Sequence, residues 1–180
     1  VAFIPSQANM FNYIGNFSSI RNYIGSNCIT ALCETTDKGK LIVGTDNDGI
    51  YLLDKNYNFI QHLTQDKNPD VPPTVMCLFE DSNKKVWIGS YLSGISVFDS
   101  QTNKLSKTSL RNNEGNEITK VYRFVEDPHK RLWIGTMGTG LYYVDLPASS
   151  ASYSDLKVHQ ALSEKEINQW INTLLYIPNG

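Results

Sequence analysis

Three stretches of nearly the same pattern constrain this chain more than anything else in it: "LIVGTDNDGIYLLD" from Leu41 to Asp54, "VWIGSYLSGISVFD" from Val86 to Asp99, and "LWIGTMGTGLYYVD" from Leu132 to Asp145. Gly44 and Gly89 lie 45 residues apart and Gly89 and Gly135 lie 46 apart, and Gly49, Gly94 and Gly140 keep the same two intervals. Self-similarity at such a period marks solenoids, propellers or arrays. Taken alone, the glycines of the third stretch suggest a phosphate loop. That loop needs a helix after its glycines, whereas "LYYVD" has the composition of a strand.

The content of each repeat selects a β architecture. "VWIG" and "GISVFD" are short apolar runs rich in β-branched and aromatic residues, bounded by turn residues and too short for helices. They predict a hairpin with glycine where the turn needs a positive φ. Upstream of each hairpin runs a further apolar strand, "ITALCE", "VMCLFE" or "VYRFVE", ending at Glu34, Glu80 and Glu126. Downstream lie half-polar strands, Phe59 to Thr64, Lys104 to Leu110 and Leu156 to Leu162. The first three strands are apolar on both faces, as in a sheet sandwiched between neighbours, and the fourth alternates like an outer edge. Four antiparallel strands in each period predict an all-β chain, a β-propeller fragment with a repeat of about 45 residues.

The repeat divides the chain into the end of one blade (1–28), blades at 29–74, 75–120 and 121–170, and the start of a further blade (171–180). "VAFIP" aligns with the third strands and "INTLLYIPNG" with the first, so both ends are expected to fall inside blades. The expectation is an excerpt from a longer propeller, its blades met by those of the longer chain or by another copy in a homodimer.

Composition excludes several partners. With 16 basic and 18 acidic residues there is no footprint for nucleic acid, and no run of Lys and Arg points to a membrane surface. No apolar run approaches the roughly 18 residues of a membrane helix, so no membrane contact is expected from this segment. Cys28, Cys33 and Cys77 are odd in number and lack CxxC spacing, which predicts free thiols rather than a zinc site or disulfide framework. No charged leader segment opens the chain.

The pattern of apolar strand, "ED", "LWIGT" and "GLYYVD" resembles the two-component-regulator propeller repeat of the periplasmic sensor region of hybrid histidine kinases from gut Bacteroidetes, Bacteroides among them. "VEDPHKRLWIGTMGTGLYYVD" is its best copy, and the resemblance covers nearly the whole chain. The first copy departs, with Ile42 where the others have Trp87 and Trp133, and with an extra residue in its "TTDKGK" turn. The resemblance implies a periplasmic, ligand-sensing segment of a membrane-anchored protein engaged in two-component signal transduction, with an oligosaccharide as the sensed ligand. A generic propeller scaffold for protein partners is the alternative, because fold does not fix function.

No catalytic residues, metal site or cofactor are expected. His62, His129 and His159 fall on two outer strands and a hairpin turn with no HExxH or metal spacing. The "DSNKKVW" turn resembles the Asp-box turn of sialidases, which is structural there too. Candidate ligand-binding residues are those that break the repeat without a packing reason. Arg123 replaces the small Ala31 and Cys77 on a first strand, the strand that lines the channel in propellers. Tyr91 and Met137 occupy the second hairpin turns, and Trp170 precedes the last unit. Aromatic side chains with a polar handle suit sugar-like ligands. The connection from Leu146 to Trp170 is the longest departure from the period, and Ser163 with Glu166 forms a capping box that predicts one short helical turn.

Overall fold

The computed structural model describes residues 14–15, 23–25, 28–148, 152–163, 165–167 and 170–178. The reading of "VAFIP" as a strand lies outside these. The described residues contain no helix and twelve strands. The first sheet holds β1 (Ile29–Glu34), β2 (Leu41–Thr45), β3 (Ile50–Leu53) and β4 (Phe59–Leu63). The second holds β5 (Val75–Glu80), β6 (Lys85–Ser90), β7 (Ile95–Asp99) and β8 (Lys104–Lys107). The third holds β9 (Val121–Glu126), β10 (Arg131–Thr136), β11 (Gly140–Asp145) and β12 (Val158–Ser163). Within each sheet the strands pair antiparallel in chain order, because every connection is a short turn that returns the chain beside itself. The first strands lie against one another, β1 on β5 and β5 on β9, so the sheets fan out from a common inner edge as blades do.

Period-2 alternation explains the stacking. Ile42 and Leu52 leave the first sheet on the side of the second and bury against Val86, Ile88 and Phe98. Trp87 and Val97 leave the second sheet in the same sense and bury against Leu132, Ile134, Tyr142 and Val144. The middle strands of the first two sheets therefore bury both faces, as their doubly apolar sequence requires. The first strands do not all follow that pattern. In β1, Leu32 is exposed, while its counterpart Phe124 in β9 is buried against Trp87 at 6.1 Å between ring centroids. An inner edge strand is covered only where a preceding sheet lies against it.

One contact sets the spacing of the blades. A Cβ added to Gly44 would come within 2.5 Å of Val75 Cγ1, one at Gly89 within 2.8 Å of Val121 Cγ1, and one at Gly135 within 2.8 Å of Ile171 Cγ2. The bare centre of each second strand thus receives the β-branched residue that follows the inter-blade connection. Ile171 fills the third such seat although no strand is formed there.

At the opposite end of the sheets a carboxylate clasps the preceding blade. Glu80 accepts the backbone N–H of Thr36 at 2.9 Å, and Glu126 accepts that of Ser82 at 2.7 Å. The recurrence of Glu34, Glu80 and Glu126 is thereby architectural. The corresponding turn residue of the third sheet is Pro128, which has no N–H to give.

The long connection after β11 is part of the core. Tyr153 is buried, its ring lies 5.6 Å from that of Trp87, and its hydroxyl accepts the side-chain amide of Asn83 at 2.7 Å. Ser163 and Glu166 make half of the capping box: the Glu166 carboxylate accepts both the Ser163 N–H and its hydroxyl at 2.8 Å, and Ile167 N–H bonds Ser163 O at 3.0 Å, a single helical turn's bond.

Candidate functional site

The hairpin turns between second and third strands and the connections between blades share one face of the fan. They are laced together by backbone hydrogen bonds: Tyr91 N–H to Thr74 O, Lys120 N–H to Tyr91 O, and Met137 N–H to Lys120 O. Met137 then pairs with Trp170 in an isolated antiparallel bridge. Three of the four residues singled out in the sequence, Tyr91, Met137 and Trp170, are therefore neighbours on one rim. Trp170 is 63% exposed and Tyr91 39% exposed, so both rings face solvent from that rim.

Arg123 stands apart from them. It is on the inner strand, but β9 pairs it with Gly135 and pairs Val125 with Trp133. Alternation then places Arg123 on the outer face of the third sheet, the face that carries Trp133, rather than on the rim. Its counterparts Ala31 and Cys77 point the same way and pack on the next blade. Arg123 is exposed and forms no ion pair among the described residues. On the same face Arg131 lies 5.4 Å from the Trp133 ring and 5.5 Å from the Tyr143 ring, and His159 stacks on Tyr143 at 4.8 Å. Trp133 is half-buried where Trp87 is fully buried, because Phe124 and Tyr153 cover Trp87 from the third sheet.

Beside the rim, at larger radius, lies a cleft of about 480 Å3 that sequence reasoning did not find. One wall is the connection from β8 to β9, residues 108–120. Leu110 and Ile118 anchor it in the core, Arg111 pairs with Glu117, and Asn112 Oδ1 closes the tip by accepting the amides of Glu114 and Asn116 at 3.0 and 2.9 Å. Gly115, at φ +83°, makes the turn between them possible. The other wall is the third sheet, with Thr139, Tyr142, Gln160 and Ser163, and Lys165 just beyond. Asn and Glu residues in a turn signal only a turn in sequence, and the facing wall comes from two later strands of the third sheet, residues 139–142 and 160–163. No local pattern marks the cleft.

Much of the cleft's hydrogen-bonding capacity is uncommitted. Asn116 gives its amide N–H to Glu114 at 3.3 Å and Gln160 accepts from Asn113 at 3.5 Å, while the Asn116 oxygen and the Gln160 NH2 have no partner among the described residues. Glu117 spends one oxygen on Lys107 at 2.8 Å, and Lys165 has no partner among the described residues. Glu166, at the cleft's edge, is held below the usual carboxylate range by the Ser163 backbone and hydroxyl donors. The lining offers both donors and acceptors with few apolar groups, which suits hydroxyl-bearing ligands.

Of the three histidines, His129 is exposed while His62 and His159 are half-buried. His62 stacks on Tyr51 at 3.9 Å and bonds Asp48 O at 2.7 Å. Among the described residues no group of three or more His, Cys, Asp or Glu side chains could hold a metal ion. No helix there is long and apolar enough to cross a membrane.

Residues 71–92 and 117–138 match the family described as Two component regulator propeller. These are the β5–β6 and β9–β10 hairpins, with the residues that seat each blade on the one before. No curated protein matches the sequence. Among solved structures, the chain is similar to the extracellular domain assigned to the hybrid two component system BT3049 of B. thetaiotaomicron, at 22% identity and a TM-score of 0.64 over 82% of this chain and 18% of that one. It is similar to that of BT4673 from the same organism at 20% identity and a TM-score of 0.65, over 83% of this chain and 21% of that one. PorZ, a surface component of the type-IX secretion system of Porphyromonas gingivalis, gives 18% identity and a TM-score of 0.59 over 86% of this chain and 25% of that one. The chain thus spans about a fifth of the two extracellular domains, and at these identities the likeness establishes the fold. Three stacked four-stranded sheets and the glycine seats between them make the chain a stretch of β-propeller, two of whose hairpins match the two component regulator propeller family.

Proposed function

We propose that the chain is a non-catalytic, ligand-sensing stretch of the extracytoplasmic region of a membrane-anchored hybrid two-component histidine kinase, and that the sensed ligand is an oligosaccharide. The observation that carries the reading is the cleft beside the blade rim, whose lining brings together amide, hydroxyl, carboxylate and ammonium groups with hydrogen-bonding capacity to spare among the described residues. Each sugar hydroxyl is both donor and acceptor, so such a lining can satisfy vicinal hydroxyls without a metal. The exposed rings of Tyr91 and Trp170 on the neighbouring rim offer apolar faces for the flat side of a sugar. The propeller repeats support the sensor setting, since the solved domains of similar fold are described as extracellular parts of hybrid two component systems.

Calorimetric titration of the protein against a panel of neutral and acidic oligosaccharides tests the reading. Saturable heat that Gln160→Ala weakens supports it. No heat with any member of the panel, from protein whose sheet content is intact by circular dichroism, overturns it.

A further inference from the structure

A second, smaller cleft of about 240 Å3 adjoins the first, and Glu117 lines both. Small-molecule pockets run from about 300 to 1,000 Å3. The first cleft is within that range, and the second falls short of holding a ligand alone, so it is best understood as an extension of the first. Their chemistry differs. The larger cleft carries Glu114 and Glu117 against Lys165, with amides and hydroxyls between them. The smaller presents Lys107 and Arg111 beside Thr108 and Ser109, with Glu117 its sole acidic lining residue.

The state of those charges matters. Glu117 Oε1 holds Lys107 at 2.8 Å, so that pair is neutral as a unit and forms the divide between the clefts. Arg111 gives one N–H to Gly115 O at 2.9 Å and has no ion pair among the described residues. A guanidinium has five N–H donors in a fixed fork, which fits a carboxylate or sulfate in bidentate fashion. The backbone around it is fixed: Arg111 sits in a β-bridge with Glu117, and Ser109 N–H is tied to Ser154 O at 2.7 Å. A cation held on a fixed loop, uncompensated and next to a cleft suited to hydroxyls, is arranged for an anionic group borne on a polyhydroxylated ligand.

We propose that the two clefts are adjoining subsites of one groove that takes a short acidic oligosaccharide, with a neutral sugar unit in the larger cleft and the carboxylate or sulfate of the next unit on Arg111. This rests on the oligosaccharide reading and narrows it. Among the described residues the only aromatic lining residue is Tyr142, whose ring is buried, so hydrogen bonds and the anion contact hold the sugar in the groove more than stacking does.

The test uses a matched pair of probes: an aldobiouronic acid, and the same disaccharide with its carboxyl reduced to the alcohol. Calorimetry should show the acid bound roughly tenfold more tightly, the worth of one charge-assisted hydrogen bond. That preference should vanish in Arg111→Gln and shrink in high salt, while Gln160→Ala weakens both probes alike. Because Arg111 is exposed, its replacement leaves the fold intact, which circular dichroism checks. Equal binding of the two probes, or an acid preference that survives Arg111→Gln, overturns this inference and leaves the oligosaccharide reading standing. Failure to bind either probe or any member of the wider panel overturns both.

Discussion

The indole N–H of Trp87 donates to Asp81 Oδ2 at 2.8 Å, and the other oxygen of Asp81 accepts the backbone amides of Asn83 and Lys85 at 2.9 and 3.0 Å. One carboxylate thereby builds the turn and fixes the ring that fills the next inter-blade space. Asp127 repeats the arrangement with Trp133 at 2.9 Å and with the amides of His129 and Arg131. The first sheet has neither partner. Thr35 stands in the place of the aspartate and accepts the Lys40 amide, and Ile42 stands in the place of the tryptophan. The pair is lost together, as expected if each residue is needed chiefly because of the other.

Removing the carboxylate at Asp81 leaves a buried indole donor and two turn amides unpaired. Asp81→Ala is expected to cost about 2–3 kcal/mol, the desolvation cost of such groups, and Asp81→Ala with Trp87→Phe less than the sum of the single changes. Urea unfolding of the four proteins measures the coupling.

The two aspartates titrate in opposite directions. Burial pushes the Asp81 carboxyl up, and its hydrogen bonds with the Lys85 amide, the Trp87 indole and the Asn83 amide do not fully offset it. Burial also acts on Asp127, but there the Trp133 indole and the amide and guanidinium of Arg131 outweigh it and hold the carboxyl below its ordinary value. A lowered folded pKa contributes stability above the unfolded value of about 4, lost as pH falls through the folded one. A raised folded pKa contributes stability at low pH, lost as pH rises from about 4 through the folded value. The stability cost of Asp127→Asn should therefore shrink between pH 7 and pH 3, and that of Asp81→Asn should grow. Urea midpoints of the wild type and both variants across that range check the sign.

Gly89 has a side chain pressed into the space a Cβ would need. Gly89→Ala is expected to destabilise by about 1–3 kcal/mol through overpacking against Val121 and Cys77. Pairing it with Val121→Ala should recover part of that loss, so thermal unfolding of the double variant should lie above the additive value.

The three thiols differ in environment. Cys28 is exposed. Burial, with the Glu80 charge second, pushes the Cys33 thiol up to about 11, and burial pushes Cys77 up to about 12. Because the thiolate is the reactive form, a maleimide at pH 7.5 should label Cys28 quickly and the other two slowly. Mass spectrometry should show one adduct in native protein and three after urea.

Glu80 clasps an exposed turn. Glu80→Ala should cost about 0.5–1 kcal/mol, the net worth of an ordinary hydrogen bond, and should raise amide exchange at Thr36 without altering exchange in β6. Uniform loss of protection across both sheets would show that the clasp is not local.

The sequence made the blades legible because their signal is local and repeated. Short apolar runs bounded by turn residues, "VWIG" and "GISVFD", set the strands, and the interval between Gly44, Gly89 and Gly135 sets the stacking. Tyr153 was not legible, since "ASYSDL" has the composition of a loop, and only the edge of Trp87 that it covers gives that ring somewhere to go. Arg123 was noticed as a misfit, but which face it occupies depends on the pairing register with Gly135, and register is a property of two strands. The cleft was hidden for a related reason: Asn112 and Gln160 meet across it through the folding of a turn and the packing of a sheet, with no shared period.

The seating of Val75, Val121 and Ile171 over Gly44, Gly89 and Gly135 bears on the order in which the polypeptide acquires structure. Each sheet closes through pairings between strands near in sequence, which form quickly, yet each leaves a bare stripe on its second strand until the first residue of the following unit arrives. During synthesis a blade would therefore emerge able to form but not to lock, and the arrival of a single β-branched residue from the next would lock it. Structure would propagate from the amino end toward the carboxyl end, one unit behind the ribosome, as nearest-neighbour coupling in repeat arrays allows.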